Sequence, residues 1–259
     1  MGLAERGDCE IPRHHDRDEL MTGMLASVIS VGEARVAYEA RADVIDLKDP
    51  ARGALGALKA SIARVIVTTF GGKVTLSATV GDLPTMDPGE VLAAARRTGD
   101  LGVDFVKVGF FGTARDPECV RALTALAAET RLIAVLFADL ALDPDLCERL
   151  AEAQFAGVML DTARKEGPGL RGLLSQAQLS RFVHRARALG LITGLAGKLR
   201  LGDIAPLLEL QPDYLGFRGA LCAQHQRSAE LDEQALRAVR LAIPARAWER
   251  LHRPRVSAL

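Results

Sequence analysis

Ala42-Asp43-Val44-Ile45-Asp46-Leu47-Lys48-Asp49-Pro50 reads as a short strand. β-Branched and apolar residues dominate it, and Pro50 closes it because proline cannot extend a hydrogen-bond ladder. Side chains alternate along a strand, so Val44, Asp46 and Lys48 share one face and Ile45 and Leu47 the other. A carboxylate and an amine therefore stand together at the C-terminal end. Burying them costs desolvation free energy unless they are paired or used, and the apolar opposite face marks a strand covered on both sides. For this strand alone a structural ion pair is the simpler reading. The same device recurs twice downstream, and that recurrence moves the balance toward function.

Outward from this strand the chain keeps one beat. Upstream, Met24–Val31 forms a strand and Glu33–Ala40 a short helix leading into it. Downstream come a helix over Leu55–Ala63, a strand over Val74–Val80 and a helix over Pro88–Arg97. Strands at Phe105–Gly109, Leu132–Ala138, Gly157–Leu160, Leu191–Leu195 and Tyr214–Phe217 follow. Their helices fall at Pro117–Glu129, Pro144–Ala153, Gln176–Leu189, Ile204–Leu210 and Asp232–Ala242. Eight strand–helix units in 259 residues imply parallel strands with right-handed crossovers, and this length favours closure into a single (β/α)8 TIM barrel over an open sheet. The barrel is expected over residues 23–243, between a flexible leader at 1–22 and a tail at 244–259. That tail, with Trp248 and several arginines, either packs over the barrel's bottom or mediates self-association, so a homo-oligomer stays open.

Composition narrows the partners. Lys plus Arg equals Asp plus Glu, 33 each, so no global field draws the chain to nucleic acid or an anionic membrane. No apolar run is long enough to span a bilayer, and the charged N-terminal stretch is unlike a signal peptide. The four cysteines, Cys9, Cys119, Cys147 and Cys222, are dispersed without a C-x-x-C pair, which suits buried thiols in a reducing cytoplasm. His14-His15 reads as an exposed polar pair rather than a metal site.

In such a barrel the active site lies at the C-terminal ends of the strands. There the second strand carries Asp46 and Lys48, and the fourth carries Lys107, which points inward if Val106 and Val108 face the helices. The sixth ends on Asp161 with Lys165 in the following loop, and the eighth ends on Leu215-Gly216-Phe217-Arg218-Gly219. Several lysines meeting in one low-dielectric mouth repel unless carboxylates or an anionic ligand compensate, and Asp46 and Asp161 offer part of that compensation. A free lysine amine is neutral in only about one molecule in 2,500 at pH 7, but burial beside other cations lowers its pKa to about 7–8. The neutral amine can then form a Schiff base with a carbonyl.

Glycines supply the second half of the argument. Gly194-Leu195-Ala196-Gly197, followed by Lys198, succeeds the seventh strand, and Gly216 and Gly219 flank Arg218 after the eighth. These loops are the usual phosphate cradle of the fold, and an arginine beside them can grip a phosphate. A phosphorylated small-molecule substrate is expected.

The runs Asp46-Leu47-Lys48-Asp49-Pro50, Gly53-Ala54-Leu55-Gly56, Ser77-Ala78-Thr79-Val80-Gly81-Asp82, Lys107-Val108-Gly109, Leu160-Asp161-Thr162-Ala163, Lys165-Glu166-Gly167 and Arg218-Gly219-Ala220 stand in one register from about Met24 to Ala242. Together they resemble the (5-formylfuran-3-yl)methyl phosphate synthases of methanofuran biosynthesis. The resemblance implies a barrel lyase that condenses two glyceraldehyde 3-phosphate molecules into a phosphorylated furan aldehyde, releasing phosphate and water. By position it implies Lys48 as the Schiff-base residue and Lys107 as the principal proton acceptor, with Asp46, Asp161 and Lys165 assisting. It implies no metal and no other cofactor, because the lysine is the electron sink. Lys198 departs from the family pattern, standing where a serine is expected, so that it either strengthens phosphate binding or rearranges the cradle.

Two rivals share the sequence features. A Schiff-base sugar-phosphate aldolase of the barrel class would use the same lysines and give an open-chain product. A non-catalytic barrel would bind the phosphorylated metabolite only.

Overall fold

A computed structural model describes residues 22–244 apart from Leu142, Pro144 and Lys165. The chain opens with strand β1, Gly23–Val28, and helix α1, Val31–Glu39, whose first turn is fixed by Ser30 accepting from the Glu33 amide at 3.1 Å. That cap is why β1 stops at Val28 and not at Val31 as its apolar run suggests. Strand β2, Val44–Leu47, and helix α2, Ala60–Phe70, follow, then β3, Thr75–Thr79, and α3, Pro88–Gly99. Next come β4, Phe105–Phe110, α4, Asp116–Glu129, β5, Leu132–Phe137, and α5, Leu146–Glu152. Strand β6, Gly157–Asp161, leads through a single turn, α6, Leu170–Leu173, to α7, Gln176–Ala188. The chain closes with β7, Ile192–Leu195, α8, Ile204–Leu208, β8, Tyr214–Phe217, and α9, Glu233–Ala242.

Every strand pairs in parallel with its neighbours in sequence, and β8 pairs back onto β1, so the sheet closes into the eight-stranded barrel expected from the alternation. The alternation of side chains also holds. Ile45, Leu47, Val106 and Val108 pack outward in the main core between sheet and helices, whereas Val44, Phe105, Val135, Met159 and Tyr214 fill the lumen.

The helix expected at Leu55–Ala63 begins instead at Ala60 and runs to Phe70. Residues 53–58 are already committed elsewhere. Gly53 takes φ +121°, the Asp82 carboxylate accepts from the amides of Ala54 and Leu55 at 2.8 and 2.6 Å, and the Gly56 carbonyl accepts from the Asp49 amide. A Cβ at position 53 would run into the Asp82 carboxylate, so glycine is required there. The single turn α6, placed between β6 and α7, is a further element that the sequence periodicity does not announce.

Residues 1–21 and 245–259, hence His14-His15, Cys9 and Trp248, lie outside the described residues, as does Lys165.

Candidate active site

The parallel register builds the site. Ser27 on β1, Asp46 on β2 and Ser77 on β3 are aligned partners across three adjacent strands, all facing the lumen. The Asp46 carboxylate is fully buried: Ser77 Oγ donates to Oδ1 at 2.6 Å, Ser27 Oγ donates to Oδ2 at 3.0 Å, and Lys107 Nζ lies 3.1 Å from Oδ1. Lys107 reaches Asp46 from β4, over the intervening β3. Its side chain is buried, as expected of a lysine whose neighbours Val106 and Val108 face the helices.

Lys48 stands one residue beyond β2, at the rim. Its amine lies 3.4 Å from Oδ2 of Asp161, the last residue of β6, so this contact spans the lumen between strands on opposite sides of the barrel. Asp161 Oδ1 accepts from the Thr162 amide at 2.7 Å. Asp139, after β5, accepts from the amides of Ala163 and Arg164, each at 2.8 Å, and so fixes the loop that leads toward Lys165. Four of the expected residues, Lys48, Lys107, Asp46 and Asp161, thus meet as two ion pairs with balanced charge.

Burial weakens the hold of Lys107 on its proton. The Asp46 carboxylate opposes that effect and the Lys48 ammonium reinforces it, and the net direction is downward from 10.5. For Asp46 burial works upward, but Lys107, Lys48 and the Ser77 hydroxyl outweigh it and hold the carboxyl below 3.8. The site therefore keeps an ionised carboxylate beside an amine that parts with its proton more readily than a free lysine. Tyr214 fills the lumen further down, its hydroxyl donating to Met159 Sδ at 3.3 Å. Burial, then the fields of Asp46, Asp213 and Asp161, push its phenol well above 10, so it stays protonated. Toward the N-terminal ends of the strands a cavity of about 20 Å³ is lined by Lys107, Ser77, Tyr214, Leu25, Val44 and Phe105 among others.

The expected cradle is only partly as expected. Gly197, at φ +102°, lies against the end of β6, where a Cβ would come within 2.8 Å of Thr162 Cγ2. Gly216 faces Ala196 across the lumen wall, and Gly219 lies beside the His225 carbonyl. Lys198 turns its amine to the carbonyls of Glu166 and Gly167, at 2.6 and 3.2 Å, tying the β6 and β7 loops together.

Arg218 differs from its sequence reading altogether. Its Nε donates to the Arg227 carbonyl, Nη1 to the Ser27 carbonyl and Glu33 Oε2, and Nη2 to Glu33 Oε1 and the Ala229 carbonyl. A guanidinium has five N–H donors, and all five are matched here within a buried pair. Arg218 thus clamps the β8 loop to α1 and has no donor left for a phosphate. Arg227 extends the clamp, donating to the carbonyls of Pro50 and Gly53 in the loop after Lys48.

Sequence reasoning left Ser27, Ser77 and Tyr214 without a role. Hydroxyls carry no charge signal, and only the strand register, by aligning both serines with Asp46, could have found them.

The family model described as 4-HFC-P synthase matches residues 24–240. A Methylorubrum extorquens protein that carries the name (5-formylfuran-3-yl)methyl phosphate synthase provisionally is 45% identical over 222 residues, covering 84% of this chain and 91% of its own. The (5-formylfuran-3-yl)methyl phosphate synthase of Methanopyrus kandleri is 37% identical over 217 residues, covering 79% of this chain and 91% of its own. Among solved structures, the phosphoribosyl anthranilate isomerase of Thermus thermophilus superposes with a TM-score of 0.59 at 17% identity, over 85% of this chain and 98% of that one. At that identity the likeness concerns the barrel alone.

Proposed function

The chain belongs to the 4-HFC-P synthase family, and on that premise we propose that it condenses two molecules of glyceraldehyde 3-phosphate to (5-formylfuran-3-yl)methyl phosphate in methanofuran biosynthesis. The observation that carries the mechanism is the pairing of Lys48 with Asp161 and of Lys107 with Asp46 at one end of one lumen. Lys48, at the rim and loosely paired, is the amine that meets substrate. It adds to the aldehyde of one triose phosphate, water leaves, and an iminium forms whose positive charge keeps Asp161 as counter-ion. Lys107 in its neutral form, less basic than a free lysine, takes the proton from C2 to give the enamine, which expels phosphate from C3 and leaves a terminal enol carbon. That carbon attacks the ketone carbonyl of a second triose phosphate, isomerised from the aldehyde, and so sets the branch that carries the remaining phosphate. The free hydroxyl of the second triose closes the ring on the neighbouring carbonyl, two waters leave to complete the furan, and one water hydrolyses the imine to return Lys48.

Asp46 anchors Lys107, and Lys165 assists proton transfer from the β6 loop. The backbone around Gly197, Gly216 and Gly219 forms the phosphate side of the site. Lys198 supports it by holding the loop, and Arg218 supports it from behind. No helix among the described residues is long and apolar enough to cross a membrane. A cytoplasmic site for the reaction is part of this reading, and the buried free thiols of Cys119, Cys147 and Cys222 support it.

Incubation with glyceraldehyde 3-phosphate is expected to yield a furan chromophore together with free phosphate. Borohydride added during turnover should leave a covalent mass on the Lys48 peptide that Lys48→Ala abolishes. An adduct on Lys107 would reverse the two lysines, and an open-chain aldol without phosphate release would favour the aldolase reading.

A further inference from the structure

Two hydroxyls and one ammonium converge on Asp46, and only the ammonium has a part in the reaction as drawn. Ser27 and Ser77 occupy inward positions on fully buried strands, where an unpartnered hydroxyl is costly. The parallel register sets both beside Asp46, and each donates to a different carboxylate oxygen, at 3.0 and 2.6 Å. Ser77 shares Oδ1 with Lys107 Nζ.

We infer that Ser27 and Ser77 are positioning residues for the reaction: they hold the Asp46 carboxylate as an oriented anion and take up part of its accepting capacity, so that Lys107 exchanges its proton at a lower pH than beside a bare carboxylate. The inference rests on the reading of Lys107 as proton acceptor. Among the described residues the charged or titratable groups facing Lys107 are Asp46 and Lys48 from the β2 segment and Asp161 from β6, with the Tyr214 phenol from β8 lining the same small cavity. From β1 and β3 come hydroxyls, and from β5 the apolar Ile133 and Val135.

The direction follows from the protonation states of the pair. With the last proton gone, the carboxylate has no ammonium to face and leans wholly on the serines. Removing a serine hydroxyl therefore destabilises this state most. With the proton present, the ammonium draws closer or the carboxyl itself carries the proton, and the loss is partly made good. The last proton then leaves at a higher pH.

The test follows Lys107 directly, by NMR of protein labelled with ¹³C at lysine Cε and assigned through Lys107→Arg. In Ser77→Ala the Lys107 titration should move up by about 0.5–1 pH unit, a fraction of one charge-assisted hydrogen bond. In Ser27→Ala, whose hydroxyl serves the other oxygen, the shift should be smaller. Ser77→Thr restores the donor, and its methyl has the adjoining cavity to enter, so its titration should return to the wild-type position. Unmoved or lowered titration in the alanine variants overturns the inference; if Ser77→Ala does not fold, Ser27→Ala decides. The ascending limb of kcat/KM against pH should move with the NMR titration. A limb that stays put while Lys107 shifts removes Lys107 as the proton acceptor and leaves the serine coupling standing.

Discussion

Arg218→Met tests whether this guanidinium serves the fold or the substrate. The Arg218 and Glu33 side chains are each 7% exposed, and Glu33 also accepts from the Ile29 amide at 2.8 Å. Truncation to methionine keeps much of the apolar stem and strips Glu33 of its counter-charge, leaving the carbonyls of Ser27, Arg227 and Ala229 without this donor. Breaking a buried pair from one side costs about 3–5 kcal/mol, because the surviving charge stays buried. At about 2–4 °C per kcal/mol for a chain of this size, the melting temperature should fall by roughly 6–20 °C. Arg218→Met combined with Glu33→Leu should recover most of that loss, since an ion pair and a packed apolar pair of similar volume are close in stability. Scanning fluorimetry reads the melting temperature, and steady-state kinetics below the transition reads KM for glyceraldehyde 3-phosphate, expected to change by less than about threefold because every Arg218 donor is already engaged within the fold. A melting temperature within about 2 °C of wild type together with a tenfold rise in KM would refute the reasoning and return Arg218 to the phosphate cradle.

Gly194 is aligned with Tyr214 on one side and Met159 on the other, and a Cβ there would overlap the Tyr214 ring; Gly194→Ala should lower stability by about 1–3 kcal/mol or more, with Gly194→Ala/Tyr214→Leu recovering much of it in urea titrations. Asp82→Ala removes the acceptor of two backbone amides, so hydrogen exchange at Ala54 and Leu55 should accelerate by about tenfold or more, and unchanged protection would show that the loop is held by other contacts. Asp46 has a folded-state pKa below its unfolded value of 3.8, so its stabilisation is present above about pH 4 and is lost as the pH falls through the folded value. The wild-type melting temperature should consequently drop more steeply than that of Asp46→Asn between about pH 4 and pH 2, and parallel curves would mean that Asp46 does not stabilise the fold through its charge.

Periodic features were legible in the sequence, and long-range ones were not. The strand–helix alternation, the inward direction of Asp46, Lys48 and Lys107, and the place of Asp161 follow from residue spacing, and each matches the structure. The start of α2 was misread because Leu55 and Leu58 continue an apolar pattern, whereas the loop is set by Asp82, 27 residues from Leu55. Arg218 was misread for the same physical reason on a larger scale. Beside two glycines it has the local signature of a phosphate grip, but its partner Glu33 lies 185 residues away, and no local pattern reports a contact that barrel closure creates.

Barrel closure also explains how lysines can be placed in a lumen at all. A lone ammonium there would lose several kcal/mol of hydration with nothing to replace it. Here each has a carboxylate from another strand, and the two pairs differ in kind. Lys107 meets an anion already gripped by two hydroxyls, 3.1 Å away and sealed from water, which fits the proton-accepting part proposed for it. Lys48 meets Asp161 across the whole lumen, 3.4 Å away at the rim, a longer and less buried pair, which fits the carbonyl-binding part proposed for it.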